Sequence, residues 1–241
     1  MTYYSKNLAR RLIDGKSASE DAERAMIEKL KDACGFQYIS KLQRMFNDMT
    51  ISRELQEAFL TEVTALPSGV SFEVLVLSNG AWPLSQSANT TFDPPPVLKE
   101  FEKAFSDFYE GKQPNKKLDF LHQYSKNTIK TACFARPYQL TATSYQYAVL
   151  DQFNRGNIRT YDQIKVATNL DSSNLHQTVI SLLKARVLKS DPLLFTKSTV
   201  DGKEVIEFAK EIDGKTRLAV QNKFQRYAMT HTHLAIRSTT C

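Results

Sequence analysis

Four histidines and three cysteines are the side chains here with the most chemistry to offer, and their spacing argues against most of it. His122, His176, His231 and His233 fall into no metal-ligand pattern with Cys34, Cys133 and Cys241, which are widely spaced and form no CxxC pair. The nearest approach to a metal pair is His231-x-His233, read as two histidines of a tail. A secreted disulfide framework uses an even and denser cysteine set, so Cys34 and Cys133, each among apolar neighbours, read as buried free thiols. There is no GxSxG, P-loop or GxGxxG, and glycine is scarce, which argues against phosphate-cradling loops. The expectation is a chain with no catalytic residue, no metal and no cofactor.

Binding chemistry is better represented. Lys6 and Arg10 are four apart and share a helix face, with Arg11 beside them. A second basic cluster holds Lys112, Lys116, Lys117, Lys126, Lys130 and Arg136, and a third holds Lys215, Arg217, Lys223, Arg226 and Arg237. The net charge of +6 is moderate, but such clusters attract acidic partners. No run approaches the ~20 apolar residues of a membrane-spanning helix, and the opening MTYYSKNLARRL has no signal-peptide core. A cytoplasmic or nuclear chain is expected.

The elements that must carry these residues begin as helices. Ser17 to Glu20 has the form of a capping box, followed by a stripe of Ala22, Met26, Leu30 and Ala33 that Gly35 stops. Phe36, Ile39, Leu42, Met45 and Phe46 make a second stripe, and Leu55, Phe59 and Val63 a third, so a bundle is expected. Val70, Phe72, Val74 and Val76 alternate as in a strand up to the turn at Asn79-Gly80. Pro94 to Pro96 open a helix whose buried face is Val97, Leu98, Phe101, Phe105 and Phe108. Trp82 reads as core. Short strands follow through Leu118 to Leu121, Ile129 to Phe134 and Tyr138 to Thr141.

Thr143-Ser144-Tyr145-Gln146 and Thr160-Tyr161-Asp162-Gln163 match capping boxes, and Asp171 is placed to cap a third helix with the stripe Leu175, Val179, Leu182 and Leu183. Three compact helices and then strands describe a winged helix-turn-helix. Leu193 to Thr196, Val205 to Phe208 and Arg217 to Val220 supply hairpins, and Met229 to Cys241 shows no clean periodicity.

Several of these segments resemble the cullin homology region. YYSKNLARRLIDGKSASEDAERAMIEKLKDACGFQYISKLQRMFNDM has the family's basic helix, then S-A-S-x-D-x-E, then K-L-K-x-A-C-G-x-x-Y-x-S-K-L-Q-R-M-F-x-D. VLVLSNGAWP, PPPVLKEFEKAFSDFYEGKQPNKKLDFLHQYS and FNRGNIRTYDQIKVATNLDSSNLHQTVISLLKARVL are similar to later cullin segments, so the resemblance runs from Tyr3 to about Phe224.

The resemblance implies a mainly helical α+β architecture: part of a four-helix bundle over 1–111, a small antiparallel α/β sheet from 112–141 and 192–224, a winged helix over 142–191 and an irregular tail over 225–241. It implies a non-catalytic scaffold of a ubiquitin ligase complex whose chemistry belongs to its partners. A RING-box protein would add its amino-terminal strand to the sheet by β-augmentation. The strand positions for that site are Leu118, Phe120, His122, Tyr124, Ile129, Thr131 and Cys133. Lys6, Arg10 and Arg11 match a basic helix that steers acidic tails of ubiquitin-conjugating enzymes, an effect on association rate. Regulators of cullins are further partners; a membrane is not.

The departures matter too. The adaptor-binding amino-terminal repeats and the final winged helix with its modified lysine, in an I-V-R-I-M-K-x-R-K stretch, have no counterpart, and HTHLAIRSTTC stands where the approach to that domain would begin. The expectation is a fragment or a truncated paralogue, with a decoy for RING subunits as one alternative. The other alternative is DNA binding by the third helix, but its face offers Ser172, Ser173, Asn174, Gln177 and Ser181, with Lys184 and Arg186 only at the far end.

Overall fold

The computed structural model describes residues 2–16, 19–63, 66, 69–84, 91–131, 139–200, 203–220 and 227–240, the last of these as backbone. The chain is α+β. It opens with helices α1 (Thr2–Ile13), α2 (Glu20–Cys34) and α3 (Phe36–Glu62). Strand β1 (Ser71–Ser78) leads to α4 (Pro96–Lys112), β2 (Lys116–Phe120), β3 (Lys126–Thr131) and β4 (Gln139–Ala142). Helix α5 (Ser144–Asp151), β5 (Ile158–Thr160), α6 (Tyr161–Thr168) and α7 (Ser172–Lys184) follow. The chain then runs through β6 (Leu188–Asp191), β7 (Phe195–Val200), β8 (Lys203–Phe208), β9 (Arg217–Val220) and β10 (Tyr227–Thr240).

Local signals act where they were read. Thr143 and Thr160 each cap a helix in a reciprocal box with Gln146 and Gln163, and the Asp171 carboxylate accepts from the Asn174 amide. Pro96 opens α4, and Asn169, left-handed at φ 50°, ends α6. At the amino end the cap is Ser19, which accepts from the Ala22 amide, and α2 begins at Glu20. The stripe of α2 is also rotated from expectation. Ile27 is buried and Leu30 half-buried, whereas Ala22 and Met26 are exposed, because Glu23 turns inward to meet Arg11. The second and third apolar stripes are one helix, α3, since nothing between Phe46 and Leu55 breaks it; Phe36 at its start is exposed.

Strand β1 is buried on both faces and divides two cores. Phe72, Val74 and Val76 pack with Phe59, Leu98, Phe101 and Phe105 and, beyond them, with α5 to α7. Leu75 and Leu77 face the other way, onto Leu8, Leu12, Ile39, Leu42 and Trp82. This is the two-residue period of a strand serving two layers at once.

The main sheet has the order β1-β10-β3-β4, with β2 also paired to β10. It departs from expectation in three ways. The tail expected to be irregular is its central strand, β10. Thr and Ile positions favour extended backbone there, but the sheet's demand for a partner along both edges is the stronger cause. The sheet is mixed, because β1 and β10 run parallel, which their great separation in sequence permits. Residues 192–224 do not rejoin it: β7 and β8 form their own hairpin, and β9 joins β5 and β6 in a second sheet. The reason lies at the start of α6, where the Tyr161 and Asp162 amides donate to Thr216 and Gly214 carbonyls and draw the approach to β9 against β5. A β-carbon on Gly214 would lie 2.1 Å from an Asp162 carboxylate oxygen, so a larger residue here would require the Asp162 side chain to swing away.

Candidate protein-docking site

The outer edge of β1 is closed by a helix. Three polar side chains of α3, each four residues from the next, meet alternate residues of β1. Gln56 donates to the Phe72 carbonyl at 2.6 Å and accepts from the Val74 amide at 2.9 Å. Ser52 accepts from the Val76 amide at 2.8 Å and donates to its carbonyl. One carboxylate oxygen of Asp48 accepts from the Ser78 amide, the Ser78 hydroxyl and the Trp82 indole, all within 2.8 Å. The match is geometric, since four helical residues rise about 6 Å and two strand residues rise about 6.6 Å. The ladder leaves β1 one edge for a neighbouring strand, and β10 occupies it along eight residue pairs, Ser71↔His231 to Ser78↔Ser238.

On its other edge β10 pairs with β3 through Tyr227 to His233 and with β2 through Ile236 to Thr240. Most of the strand positions singled out from sequence lie along that edge or its connection. Leu118 and Phe120 on β2 are opposite Ser238 and Ile236. Ile129, fully buried, and Thr131 on β3 are opposite Met229 and Tyr227. His122 and Tyr124 belong to the connection between β2 and β3 instead, and Cys133 falls outside the described residues.

His122 has a role the sequence does not announce. It packs against the edge of Phe92 at 4.6 Å, and its Nδ1 lies 3.6 Å from a Glu102 oxygen of α4, too far for a hydrogen bond. Both facing atoms are buried without a hydrogen-bond partner among the described residues. Burial pushes the Glu102 carboxyl up to about 8, with Lys99 opposing weakly, and burial pushes the His122 imidazole down to about 4. At neutral pH the pair is therefore a neutral acid facing a neutral imidazole.

The three basic residues of α1 divide. Lys6 and Arg10 are exposed and line a groove of about 360 Å³ together with Ile13, Leu84 and Tyr124. Tyr124 thus brings the β2–β3 connection to the basic face. Arg11 does not belong there: its guanidinium turns to α2 and grips Glu23 through two hydrogen bonds of 2.7 and 2.9 Å. The Arg11–Glu23 spacing of twelve residues across a helix break hid this pair from sequence reasoning. Asp14, one turn beyond Arg10, holds Lys126 at the start of β3 and fixes the far wall of the groove. The second basic cluster is also partly neutralised, since Lys112 pairs with Glu62.

Helix α7 presents Ser172, Ser173 and Gln177 outward. Asn174 is bonded to Asp171, and Ser181 accepts from Gln146, so two of the five polar residues that could have met a groove of DNA serve the protein's own structure. Among the described residues no cluster of His, Cys, Asp and Glu could hold a metal ion, and no helix is long and apolar enough to cross a membrane.

These features define a helical protein built around a strand-paired sheet, with a basic groove at one side. Residues 76–212 match the family model for the cullin alpha+beta domain and residues 1–56 that for the cullin alpha solenoid domain. Among curated proteins the chain is 43% identical to Cullin-1 of Dictyostelium discoideum over 198 residues, covering 80% of this chain and 26% of that protein. It is 37% identical to Cullin-1 of Schizosaccharomyces pombe over 77% of this chain and 24% of that one, and 34% identical to Cullin-4A of Mus musculus over 79% and 25%. The chain belongs to the cullin family. It spans about a quarter of the length of these relatives.

Proposed function

We propose that this chain is a non-catalytic scaffold segment of a cullin-RING ubiquitin ligase, which binds a RING-box protein through its main sheet and helps to position a ubiquitin-conjugating enzyme. The observation that carries the reading is the construction of the sheet. It is held together by backbone pairing between strands distant in sequence, with one edge of β1 sealed by α3 and the other paired with the single strand β10. Such an arrangement suits recognition by strand addition, where backbone hydrogen bonds give affinity and alternate side-chain positions give specificity. Leu118, Phe120, Ile129 and Thr131 would supply that specificity. The groove beside Tyr124, with Lys6 and Arg10 on its wall, suits attraction of an acidic tail. The scaffold's contribution to ubiquitin transfer would be proximity rather than chemistry.

Co-expression with a RING-box protein, followed by size-exclusion chromatography with light scattering, tests the reading. A stable one-to-one complex is expected. A folded chain that elutes alone beside its intended partner would sink it, without touching the family assignment.

A further inference from the structure

We propose that β10 is an internal occupant of the strand-accepting site, so that a strand-donating partner and β10 compete for one slot. The inference rests on the reading of the sheet as a docking site and deepens it to regulation of that site.

The slot is defined by its walls. On one side stands β1, whose far edge is already satisfied by Asp48, Ser52 and Gln56. On the other stand β3, held from behind by β4, and β2. Between them there is room for one strand, and β10 fills it with eight register pairs to β1, six to β3 and five to β2. Without an occupant, β1 would lose its only strand neighbour among the described residues, and β3 and β2 would each expose an edge. Bare edges of that length are costly and adhesive, so the slot is stable when filled and offers itself to any extended segment when empty. Among the described residues β10 has no direct strand pairing to β4, β5 or β9, and it follows β9 after a six-residue connection, 221–226. Nothing in the pairing of β1 to α3, or of β3 to β4, passes through it.

A tethered strand on so short a connection works at an effective concentration of roughly millimolar. A partner entering the slot in trans must overcome that, and its apparent affinity falls by the ratio of this concentration to the intrinsic dissociation constant of β10.

The test uses the full chain and a variant, Leu234→Pro with Ile236→Pro, because a central strand does not tolerate proline. These two positions lie opposite Val74 and Val76. The first probe is a synthetic peptide of residues 227–240. Micromolar peptide should bind the variant and leave the wild-type chain unlabelled; a folded variant that ignores the peptide overturns the proposal. The second probe is a RING-box protein, expected to bind the variant at least about tenfold more tightly than the wild type. If the peptide binds and the RING-box protein shows no preference, the slot exchanges strands but the RING-box reading of it fails. Where the variant does not fold, hydrogen exchange on the unmodified chain decides. Amides of 228–240 and the β1 amides facing them should open ahead of the β3–β4 pairing; exchange of all these strands together, by global unfolding alone, refutes an independent occupant.

Discussion

The buried pair Glu102 and His122 gives the stability a distinctive pH signature. Glu102 is raised from 4.5 to about 8, so its contribution is fully present below pH 4.5 and is lost as pH rises through about 8. His122 is lowered from 6.5 to about 4, so its contribution is present above pH 6.5 and is lost as pH falls through about 4. Between these limits each group changes stability by about 1.4 kcal/mol per pH unit, with opposite sign. From pH 4.5 to 6.5 the two slopes cancel. From pH 6.5 to 8 only Glu102 acts, and it removes about 2 kcal/mol. Glu102→Gln keeps the shape and deletes the acid's titration. Relative to wild type, the variant should lose its decline between pH 6.5 and 8. It should instead show the isolated His122 slope, a loss of about 3 kcal/mol from pH 6.5 to 4. Urea denaturation of both proteins across pH 4 to 8 measures this, and subtracting the curves removes titrations common to both. Parallel curves at all pH values would refute the neutral acid–imidazole pairing.

The helix-to-strand ladder yields further expectations. Asp48→Ala strips three donors, among them the Trp82 indole, of one buried acceptor and should cost about 3–5 kcal/mol, with altered Trp82 fluorescence in the folded state. Ser52→Ala and Gln56→Ala should each cost about 1–3 kcal/mol, and faster amide exchange should appear at Val76 in the first and Val74 in the second. On the basic face, Lys6→Glu with Arg10→Glu should slow association with a conjugating enzyme's acidic tail and flatten its salt dependence in stopped-flow measurements. Arg11→Glu should instead destabilise the α1–α2 contact and lower the melting temperature, because its charge is committed to Glu23.

What could be read in advance was local. Capping boxes at Thr143 and Thr160, the Asp171 cap and the opening of α4 at Pro96 depend on residues within one helical turn. The alternation at the start of β1 showed because the polar Ser71 and Glu73 separate its apolar residues. What could not be read depends on distant partners. Asp48, Ser52 and Gln56 look like an ordinary solvated face until a strand is laid against them. Tyr227 to Thr240 lacks a clean apolar period, and its strand state comes from neighbours distant in sequence. Of the candidate site, Leu118, Phe120, Ile129 and Thr131 were legible as strand positions. The neutralisation of Arg11 and the burial of His122 against Glu102 were not, since each is set by the packing of another helix.

The role proposed for this sheet is to receive a strand from a RING-box protein. It is tested most directly by repeating the co-purification with a RING-box protein whose amino-terminal strand has been deleted. The complex should then be lost, with both proteins still folded. A complex of unchanged stoichiometry and affinity would contradict it and place the contact elsewhere on the molecule.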